Sequence, residues 1–332
     1  MTAIGHTVDT GTVQAFAGEI PAKDLGPTLI HEHIFVTAPE LDADLPDREW
    51  DAPRAIDDAV ATLERLYDLG VRTVVDLTVL GLGRDVSLVA KVAERTRMHL
   101  IASTGCYAAE VLPTYFRLHG PGLVIDEPDP LPTLFIRDIE EGIAGTSIRA
   151  GMLKIASGAA GITPDVERIF RAAASAQLRT GVPITTHSDP HVRGGIEQQA
   201  LLAELGVPLD RVVIGHSGDS TDLDYLRRIA DGGSYLGFDR FGMTHVASDE
   251  DRVQTLLALL DAGYADRIVL SHDAAVHSRM TPPSWRREHT PDWHMEHLSR
   301  TVLPGLRDRG VDATVIDQLM VENPRRLLTG MP

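Results

Sequence analysis

The chain has 332 residues, of which 43% are hydrophobic and 24% charged, values typical of a globular protein with a sizeable core. With 31 Lys and Arg against 48 Asp and Glu, the formal net charge is −17, which argues against nucleic acid or an anionic membrane surface as a partner. The one cysteine, Cys106, excludes an intrachain disulfide and a cysteine zinc knuckle, and it suits a reducing compartment.

Short apolar runs rich in β-branched residues recur along the chain and predict buried parallel strands. Each run is about five to nine residues long, a usual strand length. A short hairpin at residues 8–20 is predicted before the first of them. The predicted strands are residues 28–36, 73–79, 100–106, 151–156, 183–187, 211–215, 234–238 and 267–271.

Amphipathic segments with helical spacing lie between the predicted strands. Residues 55–69 place Ile56, Val60 and Leu63 on one face and end at Gly70. Residues 163–180 begin with Thr-Pro, an N-cap followed by proline at the first helical position. Five further segments show a similar pattern and predict helices: 132–143, 195–205, 222–229, 251–262 and 295–309.

Eight strand-like runs that alternate with helical segments predict an α/β fold, a (β/α)8 TIM barrel, that spans residues 1–332 as a single domain. A doubly wound sheet is the main alternative, but eight such units in about 290 residues fit the size of a barrel better. The stretches 120–132 and 280–291 indicate long βα loops, and the seventh and eighth loops are both expected to be long. Such loops lie at the C-terminal face of a barrel, where active sites are built.

Two histidines flank Glu32 in the first predicted strand. Residues two apart in a strand point to the same face, so we expect the imidazoles of His31 and His33 inside the barrel and Glu32 toward the helices. Val, Ile and Leu normally fill a barrel interior, whereas imidazole nitrogen is a common ligand of first-row divalent metals. The pattern indicates a metal site, with two hydrogen-bonded core histidines as the alternative.

Three more polar residues stand at the C-terminal ends of predicted strands. His187 ends the run PITTHS, His216 ends VVIGHS, and Asp273 ends IVLSHDA. Taken singly, His187 or Asp273 could cap the following helix. Taken together with the first pair, they give four histidines and one aspartate at the same mouth of the barrel, enough ligands for two metal ions.

A lysine in the middle of a buried strand is expensive as a cation, and Lys154 stands within the run GMLKIAS. One interpretation is a lysine paired with a carboxylate. The other is a lysine that is deprotonated and carboxylated by CO₂, because burial beside cations lowers the pKa of an amine. The resulting carboxylate has two oxygens, which could bridge two metal ions.

Six motifs carry a family resemblance, and they stand along the chain in this order: GPTLIHEHIFV, GMLKIAS, PITTHS, VVIGHSGDS, YLGFDRFG and LSHDA. In order and spacing, over residues 10–330, they resemble the phosphotriesterase family of the amidohydrolase superfamily, most closely the phosphotriesterase-like lactonases. The resemblance implies a (β/α)8 barrel with two divalent metal ions, most often zinc and sometimes cobalt, iron or manganese. It also implies a homodimer. The implied ligands are His31, His33 and Asp273 for the more buried ion, His187 and His216 for the more exposed ion, and carboxylated Lys154 together with a hydroxide as the bridges.

Two positions distinguish lactonases from phosphotriesterases in this family. Tyr107 matches the tyrosine that lactonases place over the metals, where the phosphotriesterases proper carry tryptophan. Arg240 matches the lactonase arginine, where they carry histidine. A phenol can hydrogen-bond a lactone oxygen, and a guanidinium supplies fixed donors. The alternatives are a rim aromatic for Tyr107 and, for Arg240, an ion pair with Asp239 or another carboxylate.

The chain departs from the lactonase pattern at several positions near the acyl side of the site. Ala109 stands where many lactonases carry a second tyrosine, and Ala275 and Val276 replace cysteines that are common after the strand-8 aspartate. Met280 stands where an aromatic residue often gates the acyl pocket. These changes leave the metal ligands intact and affect the expected preference for acyl-chain length.

The resemblance implies a lactonase for N-acyl-homoserine lactones or related γ/δ-lactones, with organophosphate triesterase activity as a side reaction. The metal-bridging hydroxide would attack the carbonyl, Tyr107 would help to steady the oxyanion, and Asp273 would pass the proton to the leaving alkoxide. Asp219 matches a family carboxylate that would continue this relay, with a loop or helix-cap aspartate as the alternative. Two other functions stay open: a hydrolase whose main substrate is an organophosphate triester, and a metal-binding ligand sensor without catalysis.

The remaining candidates indicate little chemistry. His245, His277 and His289 fall in the last two loops, where we expect solvated side chains, with contact to substrate as the alternative. His272 should point away from the barrel axis, and Cys106, with no paired base, should be a small core residue. The first residues lack the basic region and apolar run of a signal peptide, and no apolar stretch reaches about 18 residues, so we expect a cytoplasmic protein with a small-molecule substrate.

Overall fold

A computed structural model of the protein describes residues 11–42 and 44–331. The chain begins with an antiparallel hairpin of β1 (Thr12–Ala15) and β2 (Gly18–Pro21), in which Val13 pairs with Ile20. Both of these side chains pack into an apolar cluster with residues from the barrel strands, so the hairpin covers one end of the barrel. The predicted hairpin is confirmed from residue 12, and residues 8–10 of that prediction lie outside the described residues.

The barrel strands follow at the predicted places. They lie side by side in sequence order, and every pair between them is parallel. Their short apolar sequences are buried on both faces, as parallel strands covered by helices require. The strands are β3 (Thr28–Val36), β4 (Thr73–Asp76), β5 (His99–Cys106), β6 (Ala150–Ala156), β7 (Ile184–His187), β8 (Val212–Ile214), β9 (Tyr235–Phe238) and β10 (Ile268–Leu270).

The barrel closes through the residues that follow β10. The amide of Asp273 donates to the carbonyl of His31 (3.0 Å), and the amide of His33 donates to the carbonyl of Ala274 (2.8 Å). The chain then forms β11 (Ala275–Ser278), which pairs in parallel with β3. The predicted (β/α)8 barrel is therefore confirmed, and the segment predicted as a long eighth loop contains the short strand β11. The sequence AVHS is too short to predict a strand, and only its pairing with β3 makes it one.

Helices flank the strands on the outside of the barrel, and side chains cap many of their N-termini. The hydroxyl of Thr163, for example, accepts from the amide of Val166 (3.3 Å), and Gly181 ends the same helix with φ +75°. The helices are α1 (Pro39–Asp42), α2 (Ala52–Asp68), α3 (Val86–Ala93), α4 (Thr114–Leu118), α5 (Pro130–Glu140), α6 (Pro164–Thr180), α7 (Gly194–Glu204), α8 (Leu223–Asp231), α9 (Asp249–Asp261), α10 (Pro283–His289), α11 (Leu303–Asp308), α12 (Ala313–Asp317) and α13 (Asn323–Thr329).

Several of these helices correct the sequence-based expectations. The helix α10 lies inside the predicted eighth loop. Five more had no predicted counterpart: α1, α3, α4, α12 and α13. The predicted helix 295–309 begins as a π-helical segment, Leu298–Val302, before α11. Within residues 11–42 and 44–331, no helix combines the length and the apolar character needed to cross a membrane.

Candidate metal centre and active site

The candidate ligands on β3 lie on one side of the strand, and Glu32 lies on the other. The pairing of β3 with β4 shifts register between Leu29 and Glu32. Beyond this shift, His31 and His33 both approach Asp273, while the Glu32 carboxylate accepts from the hydroxyl of Ser271 (2.8 Å). All of these groups are buried or nearly so. The alternation expected for His-Glu-His is therefore present in the folded chain.

The first group of candidate ligands consists of His31, His33 and Asp273. Oδ1 of Asp273 lies 3.3 Å from Nε2 of His31 and 3.1 Å from Nε2 of His33. One donor atom from each residue lies within 4.8 Å of the other two, a spacing suited to a metal ion. Burial alone would raise the pKa of Asp273, but the imidazole of His31 and hydrogen bonds to both histidines hold it well below its usual range.

The second group consists of His187 and His216, at the ends of β7 and β8. Nε2 of His216 lies 2.8 Å from Nδ1 of His187, and His216 adopts the left-handed conformation (φ +61°) that turns the chain at the barrel mouth. Burial lowers the pKa of His216 to about 4 and holds the pKa of His187 well below its ordinary value. Both imidazoles are therefore neutral at pH 7, the form in which histidine binds metals.

Lys154 extends from β6 into the same space and is 1% exposed. Its Nζ lies 3.2 Å from Nε2 of His31 and donates to the carbonyl of Thr186 (3.3 Å). Burial lowers the pKa of this amine to about 8, while the carboxylates of Asp273 and Asp239 act in the opposite direction. The lysine lies against a candidate ligand, so it belongs to the same buried cluster of side chains.

One buried carboxylate, missed in the sequence-based prediction, connects the two groups. Asp239 is 1% exposed, and its Oδ2 lies 2.7 Å from Nδ1 of His31. Its Oδ1 accepts from the amide of His216 (2.8 Å) and lies 3.0 Å from Nδ1 of the same residue. Asp239 stands at the end of the seventh strand in YLGFDRFG, so the strand-end rule that found His187 could have found it.

His33 also has a carboxylate behind it, reached through a hydroxyl. Nδ1 of His33 lies 2.9 Å from Oγ1 of Thr78, which donates to Oδ1 of Asp76 (2.6 Å). On the opposite side of the barrel wall, Nδ1 of His272 lies 2.6 Å from Glu32, so this histidine points away from the site as expected. These contacts fix ring orientation and decide which nitrogen faces the site.

Arg240 lies between two carboxylates, and neither is Asp239. Its Nε donates to Oδ2 of Asp273 (3.1 Å), and its Nη1 donates to Oδ2 of Asp219 (3.1 Å). Burial alone would lower the pKa of Arg240, but these two carboxylates raise it above its ordinary value. The guanidinium keeps its proton, so the proton relay expected from Asp273 to Asp219 is interrupted at Arg240. Asp219 does not cap a helix either, because Asp222 caps α8.

Tyr107 follows β5 and packs edge-on against the ring of His187, with 5.3 Å between the ring centres. Burial raises the pKa of Tyr107, so its hydroxyl stays protonated and can donate a hydrogen bond. Its neighbour Cys106 is fully buried, and burial raises the pKa of that thiol to about 12. The two side chains therefore differ in role: one lines the site, and the other is a protonated core residue, as expected.

A cavity of about 290 Å³ lies over these groups. The candidate ligands, Tyr107 and Arg240 form its polar floor, and an apolar wall completes it. That wall consists of Val36, Leu82, Met243, Val246, Met280 and Trp293. A larger groove of about 920 Å³ lies beside it, between α2 and the segment after β11, and contains none of the candidate ligands.

The loop histidines do not all behave as expected. His277 is 5% exposed, lies 3.0 Å from Oδ2 of Asp47 and packs against Trp50, so the expectation of a solvated side chain is wrong. Burial results from the pairing of β11 with β3, which the sequence does not reveal. His245 lines the cavity and packs against Trp285 and Trp293.

Comparisons with known proteins agree with this arrangement of residues. A sequence model described as the phosphotriesterase family matches residues 11–328. The chain belongs to the phosphotriesterase family. A phosphotriesterase homology protein of Mycobacterium tuberculosis (strain H37Rv) is 44% identical over 310 residues, which cover 93% of this chain and 95% of that protein. An aryldialkylphosphatase of Saccharolobus solfataricus is 39% identical over 312 residues, which cover 93% and 97% of the two chains.

Solved structures of phosphotriesterase-family proteins superpose on the whole barrel. A structure of the phosphotriesterase from Mycobacterium tuberculosis matches with a TM-score of 0.93 and 42% identity over 96% of this chain and 98% of that chain. A second structure, described as engineering of organophosphate hydrolysis activity from a weak promiscuous lactonase template, matches with a TM-score of 0.87 and 35% identity over 96% and 99%. The chain is therefore a phosphotriesterase-family hydrolase with His and Asp clusters suited to metal ions.

Proposed function

We propose that the protein is a metal-dependent lactonase that opens N-acyl-homoserine lactones or related γ/δ-lactones, with organophosphate triester hydrolysis as a side activity. The observation that carries the proposal is the pair of donors beside the candidate ligands. The phenol of Tyr107 packs on His187, and the guanidinium of Arg240 bonds to Asp273. A phenol and a fixed guanidinium can hydrogen-bond the oxygens of a lactone.

The donor set fits two divalent ions, for which zinc is our first choice and cobalt, iron or manganese the others. Imidazole and carboxylate ligands suit all four metals, and the imidazoles of His187 and His216 are neutral. We propose that Lys154 is carboxylated by CO₂ and that its carboxylate would help to hold both ions. Bound together, such ions supply polarisation of a carbonyl oxygen and activation of water near neutral pH. The proposed ligands are His31, His33 and Asp273 for one ion and His187 and His216 for the other.

The protein's own groups then have distinct tasks. Asp273 takes a proton at its carboxylate and delivers it to the leaving alkoxide, a general acid–base role. Tyr107 stays protonated and donates to the developing oxyanion. Arg240 holds Asp273 in place through its Nε. We revise the role of Asp219 from proton relay to positioning, because the guanidinium between the two carboxylates does not give up its proton.

Two other functions are the alternatives. The names of the relatives favour an organophosphate triester hydrolase as the main activity. A metal-binding ligand sensor without catalysis is the other alternative, and the complete set of candidate ligands speaks against it. Metal-reconstituted enzyme should be assayed with a series of lactones and with paraoxon. We expect higher kcat/KM for lactones. A preference for paraoxon of more than about tenfold contradicts the lactonase function. If the enzyme turns over neither the lactones nor paraoxon, the result supports the ligand sensor.

Three further proposals follow from the sequence and the resemblance. We propose that residues 1–332 form a single domain and that the protein is a homodimer. We also propose a cytoplasmic location, supported by the single buried cysteine, which suits a reducing compartment. Size-exclusion chromatography with light scattering tests the dimer, and cell fractionation tests the location.

A further inference from the structure

A chain of alternating charges leads from the candidate active site into helix α9. Asp273 accepts from Arg240, Arg240 donates to Asp219, and Asp219 accepts from Arg252. Arg252 also bonds to Asp249, whose second oxygen lies 2.7 Å from Nε2 of His297. The middle of this series of ion pairs is buried, because the side chains of Asp219 and Arg252 are each 1% exposed.

The donors of Arg252 hold two different parts of the molecule. Nε and Nη2 both donate to Oδ1 of Asp219, at 3.1 and 2.7 Å. Nη1 donates to the carbonyl of Ala247 (2.9 Å), and Nη2 donates to the carbonyl of Met243 (3.2 Å). One guanidinium therefore fixes a carboxylate behind the active site and two backbone positions in the loop that follows β9.

That loop, residues 239–248, supplies part of the cavity wall and is called here the β9–α9 loop. It carries Arg240, which faces the candidate ligands, and Met243 and Val246, which belong to the apolar wall. At its start, Gly242 (φ +86°) donates its amide to Asp249, and a Cβ there would lie 2.2 Å from the carbonyl oxygen of Asp292. The loop is thus held at both ends by groups from α9.

We propose that Arg252 is a positioning residue that sets the substrate range of the enzyme. Through Asp219 it holds Arg240 on Asp273, and through the β9–α9 loop it holds the wall that contacts the apolar part of a substrate. Arg252 itself touches no substrate. The inference rests on the proposed lactonase function. It adds that loss of Arg252 from α9 displaces the β9–α9 loop and Arg240 together.

A second arginine offers a matched control. Arg168, on α6, forms the same kind of contact: it donates to both oxygens of Asp129 and to the carbonyls of Phe116 and His119. It holds the helix α4 and the N-terminal cap of α5, and none of the groups that it contacts lines the 290 Å³ cavity. Loss of Arg168 removes a comparable set of hydrogen bonds without touching the proposed unit.

The test compares Arg252→Met and Arg168→Met with wild type as metal-loaded enzymes, using γ-butyrolactone and N-decanoyl-homoserine lactone as substrates. For Arg252→Met we expect lower kcat for both lactones and a higher KM for the long one, so that the ratio of kcat/KM values, long over short, falls roughly tenfold. Deuterium uptake in residues 243–248 should rise. For Arg168→Met the ratio and this uptake should equal those of wild type.

Several results would overturn the proposal. If Arg252→Met changes kcat/KM equally for both lactones, the result contradicts a role of Arg252 in substrate range. If deuterium uptake in residues 243–248 is unchanged, the result contradicts its positioning role. If Arg252→Met does not fold, Arg252→Lys, which keeps the charge but lacks the fork of donors, must show the same two changes. Wild-type enzyme that opens neither lactone contradicts the lactonase function, whereas the exchange measurement still tests the link between Arg252 and the loop.

Discussion

The two groups of candidate ligands differ in what lies behind them. In the first group, His31 is backed by Asp239 and His33 by Thr78. In the second group, His216 shares Asp239, whereas the ring of His187 lies beside Nε2 of His216 and packs edge-on with Tyr107. Among the residues that the structure describes, no carboxylate lies within hydrogen-bond distance of His187. The second group is therefore more weakly oriented than the first.

The largest effect should come from the residues on which the proposed reaction depends. We expect Asp273→Asn and Lys154→Ala each to lower kcat/KM for lactones by about 10³-fold or more, because each removes a proposed ligand and the first also removes the general acid–base. Lys91→Ala, on the outer helix α3, is the control and should retain wild-type activity. Lactone opening that persists in either variant would mean that the proposed mechanism is incorrect.

Asp239 bridges the two groups, so its loss should weaken both. Asp239→Asn keeps the size of the side chain but removes its charge and one acceptor. We expect both ions to bind about 10- to 100-fold more weakly, the usual cost of losing the group that orients a ligand. Metal content after dialysis against graded concentrations of chelator measures this. If only one ion binds more weakly, the result contradicts the bridging role of Asp239 that its distances to His31 and His216 indicate.

Thr78 supports only the first group, so its loss should be selective. Thr78→Val keeps the shape of the side chain and removes the hydroxyl that connects His33 to Asp76. We expect about tenfold weaker binding of one ion and no change for the other. The same dialysis series measures the affinity for each ion. Equally weaker binding of both ions would contradict the separation of the two groups.

The smallest effect concerns the wild-type protein itself. The ion held by His187 and His216 should leave first when chelator is added, since His187 lacks an orienting carboxylate. We expect two separate steps of metal release, and His187→Asn should abolish only the earlier one. A single step for both ions, or loss of the later step in His187→Asn, would contradict the proposed order.

Much of the fold could be predicted from the sequence because its signals are local. The predicted strand at residues 28–36 coincides with β3, and the helix that begins after Thr163 has its N-cap as expected. The strand β11 could not be predicted, because its four residues become a strand only by pairing with β3, which is about 240 residues earlier in the chain. The burial of His277 follows from the same pairing.

The candidate ligands could be predicted because parallel strands bring their C-terminal ends together, which makes neighbours of His187, His216 and Asp273 although they are far apart in the sequence. The groups that orient them could not be assigned in this way. Asp239 was within reach of the strand-end rule, but its two histidine partners depend on the register of three strands. The role of Asp219 depends on its contacts with Arg240, in the loop after β9, and with Arg252, on helix α9.

The most direct test of the proposed function is the substrate preference of metal-reconstituted enzyme, measured together with its metal content. We expect about two divalent ions per chain and higher kcat/KM for N-acyl-homoserine lactones or other γ/δ-lactones than for paraoxon. A preference for paraoxon of more than about tenfold, or full activity without bound metal, would contradict it.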